Sequence, residues 1–250
     1  MNTFIASLQN ELKKLTARKK YIVFLIIEAA ICLLCAGVNF LITRASGGMA
    51  PSGLLLGNLQ LSLLGFFVLI YIPLLIFMAA CDLYSGEVAG GTIRATFMRP
   101  VSRGKQYFSK VLAILILAAV YLVVLLVLTT VIKAIGAGTF TGLFESAAAY
   151  LLDLIPLIVL VLFAAMINQF TNSTSLSIML CIILYIGLLV LGIFVPQLSG
   201  HLFTGYLQWH NIWLGITLPL RAIITKMGIL LGYGMIFSCV GYYLFERKEL

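Results

Sequence analysis

Long apolar segments alternate with short polar ones along the whole chain. Each apolar segment has about 20 residues, enough for a helix to cross a bilayer core about 30 Å thick. We predict spans at residues 21–43, 59–81, 111–132, 147–167, 176–195 and 227–245. The pattern therefore predicts an all-α, polytopic membrane protein with six transmembrane helices.

The first 20 residues follow a different pattern. Apolar residues recur there at spacings of four, four and three, which places them on one helix face: Phe4, Leu8, Leu12 and Leu15. Polar residues lie elsewhere on that helix: Asn10, Glu11, Lys13 and Lys14. We predict an interfacial helix within residues 1–20, lying in the plane of the membrane surface. The alternative is an amphipathic cytosolic helix that packs on protein.

Residues 196–226 are apolar but too often interrupted for a simple span. Two histidines, two tryptophans and a proline break the segment: His201, Trp209, His210, Trp213 and Pro219. Aromatic residues of this kind favour the membrane–water interface. We predict short re-entrant helices on the outer side, buried against protein, because lipid does not tolerate unpaired backbone.

Composition agrees with the membrane class. Hydrophobic residues make up 62% of the chain and charged residues 10%, whereas soluble domains are about one quarter charged. The net charge of +8 does not indicate nucleic acid, because the basic residues cluster beside predicted membrane ends. With both termini in the cytoplasm, twelve of the sixteen basic residues lie inside, as the positive-inside rule requires. We expect a multi-pass protein of a bacterial cell membrane.

A polar, strongly basic stretch, residues 82–110, separates the second and third spans; we call it the basic segment. It contains two acids, Asp82 and Glu87, and five basic residues: Arg94, Arg99, Arg103, Lys105 and Lys110. We predict a short helix bounded by glycine hinges at Gly86 and at Gly90-Gly91. Glu87 lies near its start, where a carboxylate suits the helix dipole. Pro100 ends regular structure, Ser102 is placed to cap the third-span helix, and Lys110 lies where that span enters the membrane.

The chain offers little for catalysis. It has no phosphate-binding loop, since Gly104-Lys105 is followed by Gln106 and lacks the upstream glycine. Its two histidines, His201 and His210, lie nine residues apart without a clear third metal ligand. We interpret Cys32-x-x-Cys35 as small apolar filler of a spanning helix. We therefore expect no catalytic residue, no metal and no cofactor.

Two carboxylates fall inside predicted spans. Glu28 lies about two turns into the first helix, where an ionised carboxylate is costly and usually faces protein or water. It is a candidate pathway residue, either on a polar translocation path or in a proton-linked step. The alternative is a structural pair with a basic group, or snorkelling. Asp153 lies nearer an interface, which favours a structural role.

The basic segment carries a sequence resemblance. Its runs Glu87-x-x-x-Gly91-Thr92-Ile93-Arg94 and Arg99-Pro100-Val101-Ser102-Arg103, followed by Lys110, resemble the cytoplasmic motif of ABC-2 type permeases. The ending Tyr242-Tyr243-x-Phe245-x-Arg247-Lys248-Glu249 is similar to the usual C-terminus of that family. The resemblance implies that the segment includes the coupling helix that contacts the ATPase subunit. It assigns coupling roles to seven residues: Glu87, Gly91, Thr92, Arg94, Pro100, Ser102 and Arg103.

The resemblance also implies a function. The chain would be a single transmembrane domain over residues 1–250, a permease subunit that forms the pathway as a homo- or heterodimer. It would not be an enzyme, because no nucleotide-binding domain is fused to it and a separate ATPase subunit would hydrolyse ATP. Short outer loops are similar to those of permeases that export antimicrobial peptides or drugs, so we expect amphipathic or hydrophobic cargo. The alternatives are an ATP-independent secondary transporter or channel, and a lipid-modifying membrane enzyme.

Overall fold

The chain folds into helices throughout the part described by this computed structural model, residues 3–45, 59–92, 101–137, 143–213 and 220–248. Six of its helices are long and apolar enough to span a membrane. The six spans are α2 (Lys19–Ala45), α3 (Leu59–Phe66) continued by α4 (Ile72–Leu83), α6 (Arg103–Ala137), α7 (Leu143–Ile167), α8 (Thr174–Phe194) and α11 (Leu220–Glu246). Two shorter helices accompany them: α1 (Thr3–Thr16) at the N-terminus and α5 (Ser85–Ala89) directly after α4. No strand occurs within those described ranges.

The six predicted spans are thus confirmed, and several helices extend beyond the predicted bounds. The third-span helix begins at Arg103 and the last at Leu220, so Arg221 and Lys226 belong to α11. The second and fourth spans are the most buried, and the first, fifth and sixth are largely exposed. The hydrophobic core therefore lies around α4, α6 and α7, with α2, α8 and α11 packed at its periphery.

The second span changes its helical geometry just before its proline. Residues Phe67–Tyr71 form a π-helical turn, and Pro73 lies in the first turn of α4. Pro73 has no N–H to donate to the carbonyl of Leu69, four residues earlier. The hydroxyl of Tyr185 on α8 donates to that carbonyl instead, at 2.6 Å. A neighbouring helix thus satisfies the group that the proline leaves free, as expected for prolines in membrane helices.

The segment between the fifth and sixth spans contains short helical turns. They are α9 (Pro196–Ser199), a 3₁₀ turn (Phe203–Tyr206) and α10 (His210–Trp213). Trp209 and Phe203 are buried among them. The interrupted pattern therefore predicted short helices correctly, and their re-entrant position in a membrane stays a prediction.

Candidate functional site

The structure describes two parts of the basic segment: residues 82–92, which include the short helix α5 and the turn that follows it, and residues 101–110, which lead into α6. The chain breaks between α4 and α5 at Tyr84 (φ −107°, ψ −77°), not at Gly86 as predicted. Gly86 lies inside α5, directly after its first residue, Ser85, and its carbonyl accepts a hydrogen bond from the N–H of Gly90 at 2.9 Å. The second predicted hinge fits the structure: Gly91 has φ of 67°, a left-handed conformation that favours glycine.

Glu87 lies in the first turn of α5 and is buried. Its carboxylate forms ion pairs with Lys14 of α1 (2.6 Å) and Lys110 of α6 (2.8 Å). The same two lysines pair with Glu11 of α1, at 2.7 Å and 3.1 Å. We call these four residues the ion cluster. Two positive and two negative charges balance one another there, so α1, α5 and α6 are joined by a neutral, alternating ring of charges.

Lys110 lies at the centre of the ion cluster. Only 1% of its surface is exposed, although lysine is almost never fully buried unless it is paired. Its ammonium group also donates to the backbone carbonyl of Leu83, at 2.9 Å. The side chain therefore points into protein at the start of the third span.

The ion cluster shifts the proton affinities of its two members on α1. Burial acts to raise the pKa of Glu11, but Lys110 and Lys14 outweigh it and the pKa is lowered. Burial acts to lower the pKa of Lys14, but its bonds to Glu11 and Glu87 outweigh it and the pKa is raised. Both groups are thus held in their charged forms around neutral pH.

A second ionic contact fixes the start of α2. Asp82, in the last turn of α4, accepts hydrogen bonds from Arg18 (2.7 Å) and from the hydroxyl of Tyr21 (2.6 Å). Lys20 pairs with the same carboxylate at 2.5 Å. The charged end of the first span is therefore tied directly to the end of the second.

A polar contact joins α5 to the turn between α7 and α8. The hydroxyl of Ser85 donates to the side-chain oxygen of Asn168, at 2.7 Å, and lies against the hydroxyl of Ser177. All three residues are completely buried. Beside them, the thiol of Cys81 donates to the carbonyl of Thr174 at 3.0 Å. The start of α5 is thus held to the fourth and fifth spans.

Aromatic packing joins the same region to the last span. The rings of Tyr84, Tyr107 and Phe245 pack against one another, with centroids 5.7 to 6.1 Å apart. The hydroxyl of Tyr84 donates to the carbonyl of Tyr107 at 3.0 Å. The guanidinium of Arg103 donates to the carbonyl of Glu246. The basic segment therefore contacts the C-terminal motif, the two regions that carry the sequence resemblance.

The other predicted coupling residues divide into two groups. Gly91, Thr92, Ser102 and Arg103 are exposed at the same end of the bundle, and Ser102 immediately precedes α6, the position predicted for a cap. Arg94 and Pro100, with Arg99, lie outside the described residues. The structure thus places Glu87 inside and four motif residues on the surface near it.

The two carboxylates in the spans have opposite surroundings. Asp153 of α7 is buried and bonds to His210 of α10, through the ring Nδ1 at 2.6 Å and the backbone N–H at 2.8 Å. Glu28 is equally buried, but neither carboxylate oxygen has a hydrogen-bond partner in the described part of the chain. Within the described residues, neither a basic partner nor snorkelling of the side chain explains how the carboxylate of Glu28 is accommodated.

Sequence reasoning missed several residues of this site. Glu11 and Lys14 were predicted on the polar face of α1, and Ser85, Asn168 and Ser177 were not singled out at all. A helical wheel shows Glu11 one turn before the buried Leu15, which was a usable signal. The serines and Asn168 gave none, because small polar residues are common in membrane helices.

No cluster of three or more metal-binding side chains occurs among the described residues. Comparison with curated proteins found no match. A family model described as ABC-2 family transporter protein matches residues 7–188, which include most of α1, the basic segment, the first four spans and most of the fifth. The chain is therefore a multi-pass membrane protein that belongs to the ABC-2 transporter family.

Proposed function

We propose that this chain is a permease subunit whose basic segment is held by a separate ATPase subunit on the cytoplasmic side. In this arrangement both termini are cytoplasmic, and two permease subunits, identical or related, form the translocation pathway. Membership of the ABC-2 family supports the transport role and an ATPase partner. The ATPase subunit hydrolyses ATP, and this chain supplies the pathway.

The proposal rests on one observation: α5 and the residues beside it contact each of the remaining spans, and all of these contacts lie at the same end of the bundle. Asp82 bonds to the start of α2, Glu87 to α6, Ser85 to the α7–α8 turn, and Tyr84 to α11 through Phe245. A force applied to α5 therefore reaches all six spans through ion pairs, hydrogen bonds and aromatic packing. Such a connection suits rigid-body rearrangement of helices, a common form of switching.

The exposed part of the basic segment supplies the contact with the ATPase subunit. On the described surface this exposed part includes Thr92, Ser102 and Arg103. The sequence adds two further guanidinium groups, those of Arg94 and Arg99. Guanidinium groups form strong, charge-assisted bonds with carboxylates. We therefore expect an acidic groove on the ATPase subunit. Glu87 acts from inside, by keeping α5 attached to α1 and α6.

The experiment that tests the proposal is co-purification with an ATPase subunit co-expressed in the same cell. Arg94→Glu reverses a charge in the basic segment, and we expect it to remove the ATPase subunit from the purified complex. Arg44→Glu is the matched control, because Arg44 is exposed and predicted on the opposite side. Equal loss with both variants, or retention with Arg94→Glu, contradicts the proposal.

The cargo we propose is amphipathic or hydrophobic, such as an antimicrobial peptide or a drug. The spans expose broad apolar faces, with large side chains on α2, α8 and α11, among them Leu34, Ile183 and Met235. Such faces suit lipid, a second permease subunit, or an apolar cargo. Amphiphiles should stimulate ATP hydrolysis by the reconstituted complex, and stimulation by a soluble ion alone contradicts this cargo class.

The unpartnered carboxylate of Glu28 favours a second candidate, an ATP-independent transporter driven by an ion gradient. This candidate predicts that the purified chain, reconstituted alone in vesicles, moves cargo when a gradient is applied. The permease proposal predicts no movement without the ATPase subunit and ATP. The same vesicle preparation therefore separates the two.

A further inference from the structure

Glu28 is the one buried carboxylate of the described residues that has no hydrogen-bond partner at either oxygen. It lies on the inward face of α2 with Tyr21 and Cys32, and all three are buried. Its backbone continues a regular helix, so the side chain enters the packed interior and does not face lipid.

The titratable groups that face Glu28 come from four helices. They are Cys32 on α2 itself, Tyr71 at the end of the π-helical turn, Tyr121 on α6 and Tyr150 on α7. The hydroxyls of Tyr71 and Tyr121 donate to the backbone carbonyls of Phe24 and Tyr21, the latter at 2.5 Å. Their protons are thus already used, and neither hydroxyl stabilises a negative charge on Glu28.

No lysine, arginine or histidine of the described residues pairs with Glu28, although seven ion pairs are formed elsewhere among them. An unpaired ion transferred into a protein interior costs several kcal/mol even after relaxation. A neutral carboxylic acid avoids that cost. The surroundings therefore favour the protonated form of Glu28 in the conformation described.

The position of α2 suggests when this proton would leave. The start of α2 is tied to Asp82 beside α5, through Arg18, Lys20 and Tyr21. At that point the hydroxyl of Tyr121 donates to the carbonyl of Tyr21, and about one turn further along α2 the hydroxyl of Tyr71 donates to the carbonyl of Phe24. Beyond these contacts α2 has few buried side chains. Displacement of α5 therefore pulls on α2 at the contacts that surround Glu28.

We propose that Glu28 is a proton-binding site that releases its proton to water when α2 shifts with α5, and takes one up when the helix returns. The O–H bond breaks heterolytically, the proton passes to a water molecule, and the carboxylate left behind is hydrated. Return of the helix reverses the step. This inference rests on the proposed function only for the timing of proton release, not for the protonated state itself.

Infrared difference spectroscopy tests the protonated state on the purified chain, without an ATPase subunit. The spectrum of the wild type minus Glu28→Gln at pH 7 should show the C=O stretch of a protonated carboxyl, shifted in heavy water. Glu145→Gln is the matched control, because Glu145 is exposed at the start of α7. It should show no such band at pH 7. Absence of the band in the Glu28 comparison means that Glu28 is ionised and overturns the proposal.

The second arm adds the ATPase subunit and a non-hydrolysable ATP analogue. The Glu28 band should disappear in the nucleotide-bound complex and return when nucleotide is removed. A band that persists with nucleotide bound refutes proton release during the cycle. If no ATPase subunit associates, the proposed function fails, while the first arm still decides whether Glu28 carries a proton. Glu28→Asp, with the same chemistry on a shorter side chain, should retain the band and shows that its loss in Glu28→Gln is not misfolding.

Discussion

Replacing Lys110 with methionine removes one of the two positive charges of the ion cluster and keeps most of the side-chain volume. The cluster then holds two carboxylates and one ammonium group. Glu87 loses a partner at 2.8 Å and Glu11 one at 3.1 Å. The carbonyl of Leu83 loses its side-chain donor as well.

The expected cost follows from burial. Removing one partner of a buried ion pair costs about 3–5 kcal/mol, because the remaining charge is left uncompensated. Lys14 still bridges both carboxylates, but it is one third exposed and water screens its charge. We therefore expect Lys110→Met to lower the free energy of unfolding by about 3 kcal/mol, the lower end of that range.

The assay is equilibrium unfolding in mixed detergent micelles, followed by the circular dichroism of the helices. Lys105→Met is the matched control: Lys105 is exposed, five residues earlier in α6, and bonds only weakly to Thr3 at 3.3 Å among the contacts described. Lys105→Met should change the free energy of unfolding by no more than about 0.5 kcal/mol. Glu87→Gln added to Lys110→Met should recover part of the loss. Equal unfolding midpoints for the two lysine variants would refute the reasoning.

Three further predictions concern separate parts of the molecule. Because the folded state lowers the pKa of Glu11 below 4.5, its contribution to stability is complete above that pH and is lost as the pH falls through the folded pKa. Wild type and Glu11→Gln should therefore differ in unfolding midpoint at pH 7 and converge as the solution is acidified. A difference that stays constant as the pH falls contradicts this. Tyr185→Phe leaves the Leu69 carbonyl unsatisfied, and we expect the free energy of unfolding to fall by about 1–3 kcal/mol. The fall should be smaller in a Pro73→Ala background, where residue 73 regains its N–H. An equal fall in both backgrounds argues against the contact. Gly91→Ala places a side chain on a residue with φ of 67°, a conformation that costs about 1–2 kcal/mol for a residue other than glycine. We expect this variant to retain less of the ATPase subunit on co-purification. Unchanged binding shows that this turn is not part of the contact.

The amino-acid sequence determined the class, the number of spans and the position of the basic segment. These follow from local pattern: a helix that crosses lipid needs about 20 consecutive apolar residues, and its charged residues collect at the ends. The same pattern identified α1 from the spacing of its leucines and the interruption between the fifth and sixth spans. Family membership followed from short motifs in Glu87–Arg103 and at the C-terminus, and the family model confirmed it.

The tertiary structure decided what each charged residue does. Glu11 and Lys14 look like members of a solvated helix face, and they become part of a buried cluster because α1 packs on α6 beside α5. Glu28 and Asp153 are both acids within apolar segments, yet only Asp153 meets a histidine 57 residues away. Partners so distant in sequence leave no trace in a local pattern. Burial and pairing of charge depend on which helices meet, and that is settled by packing of the whole bundle.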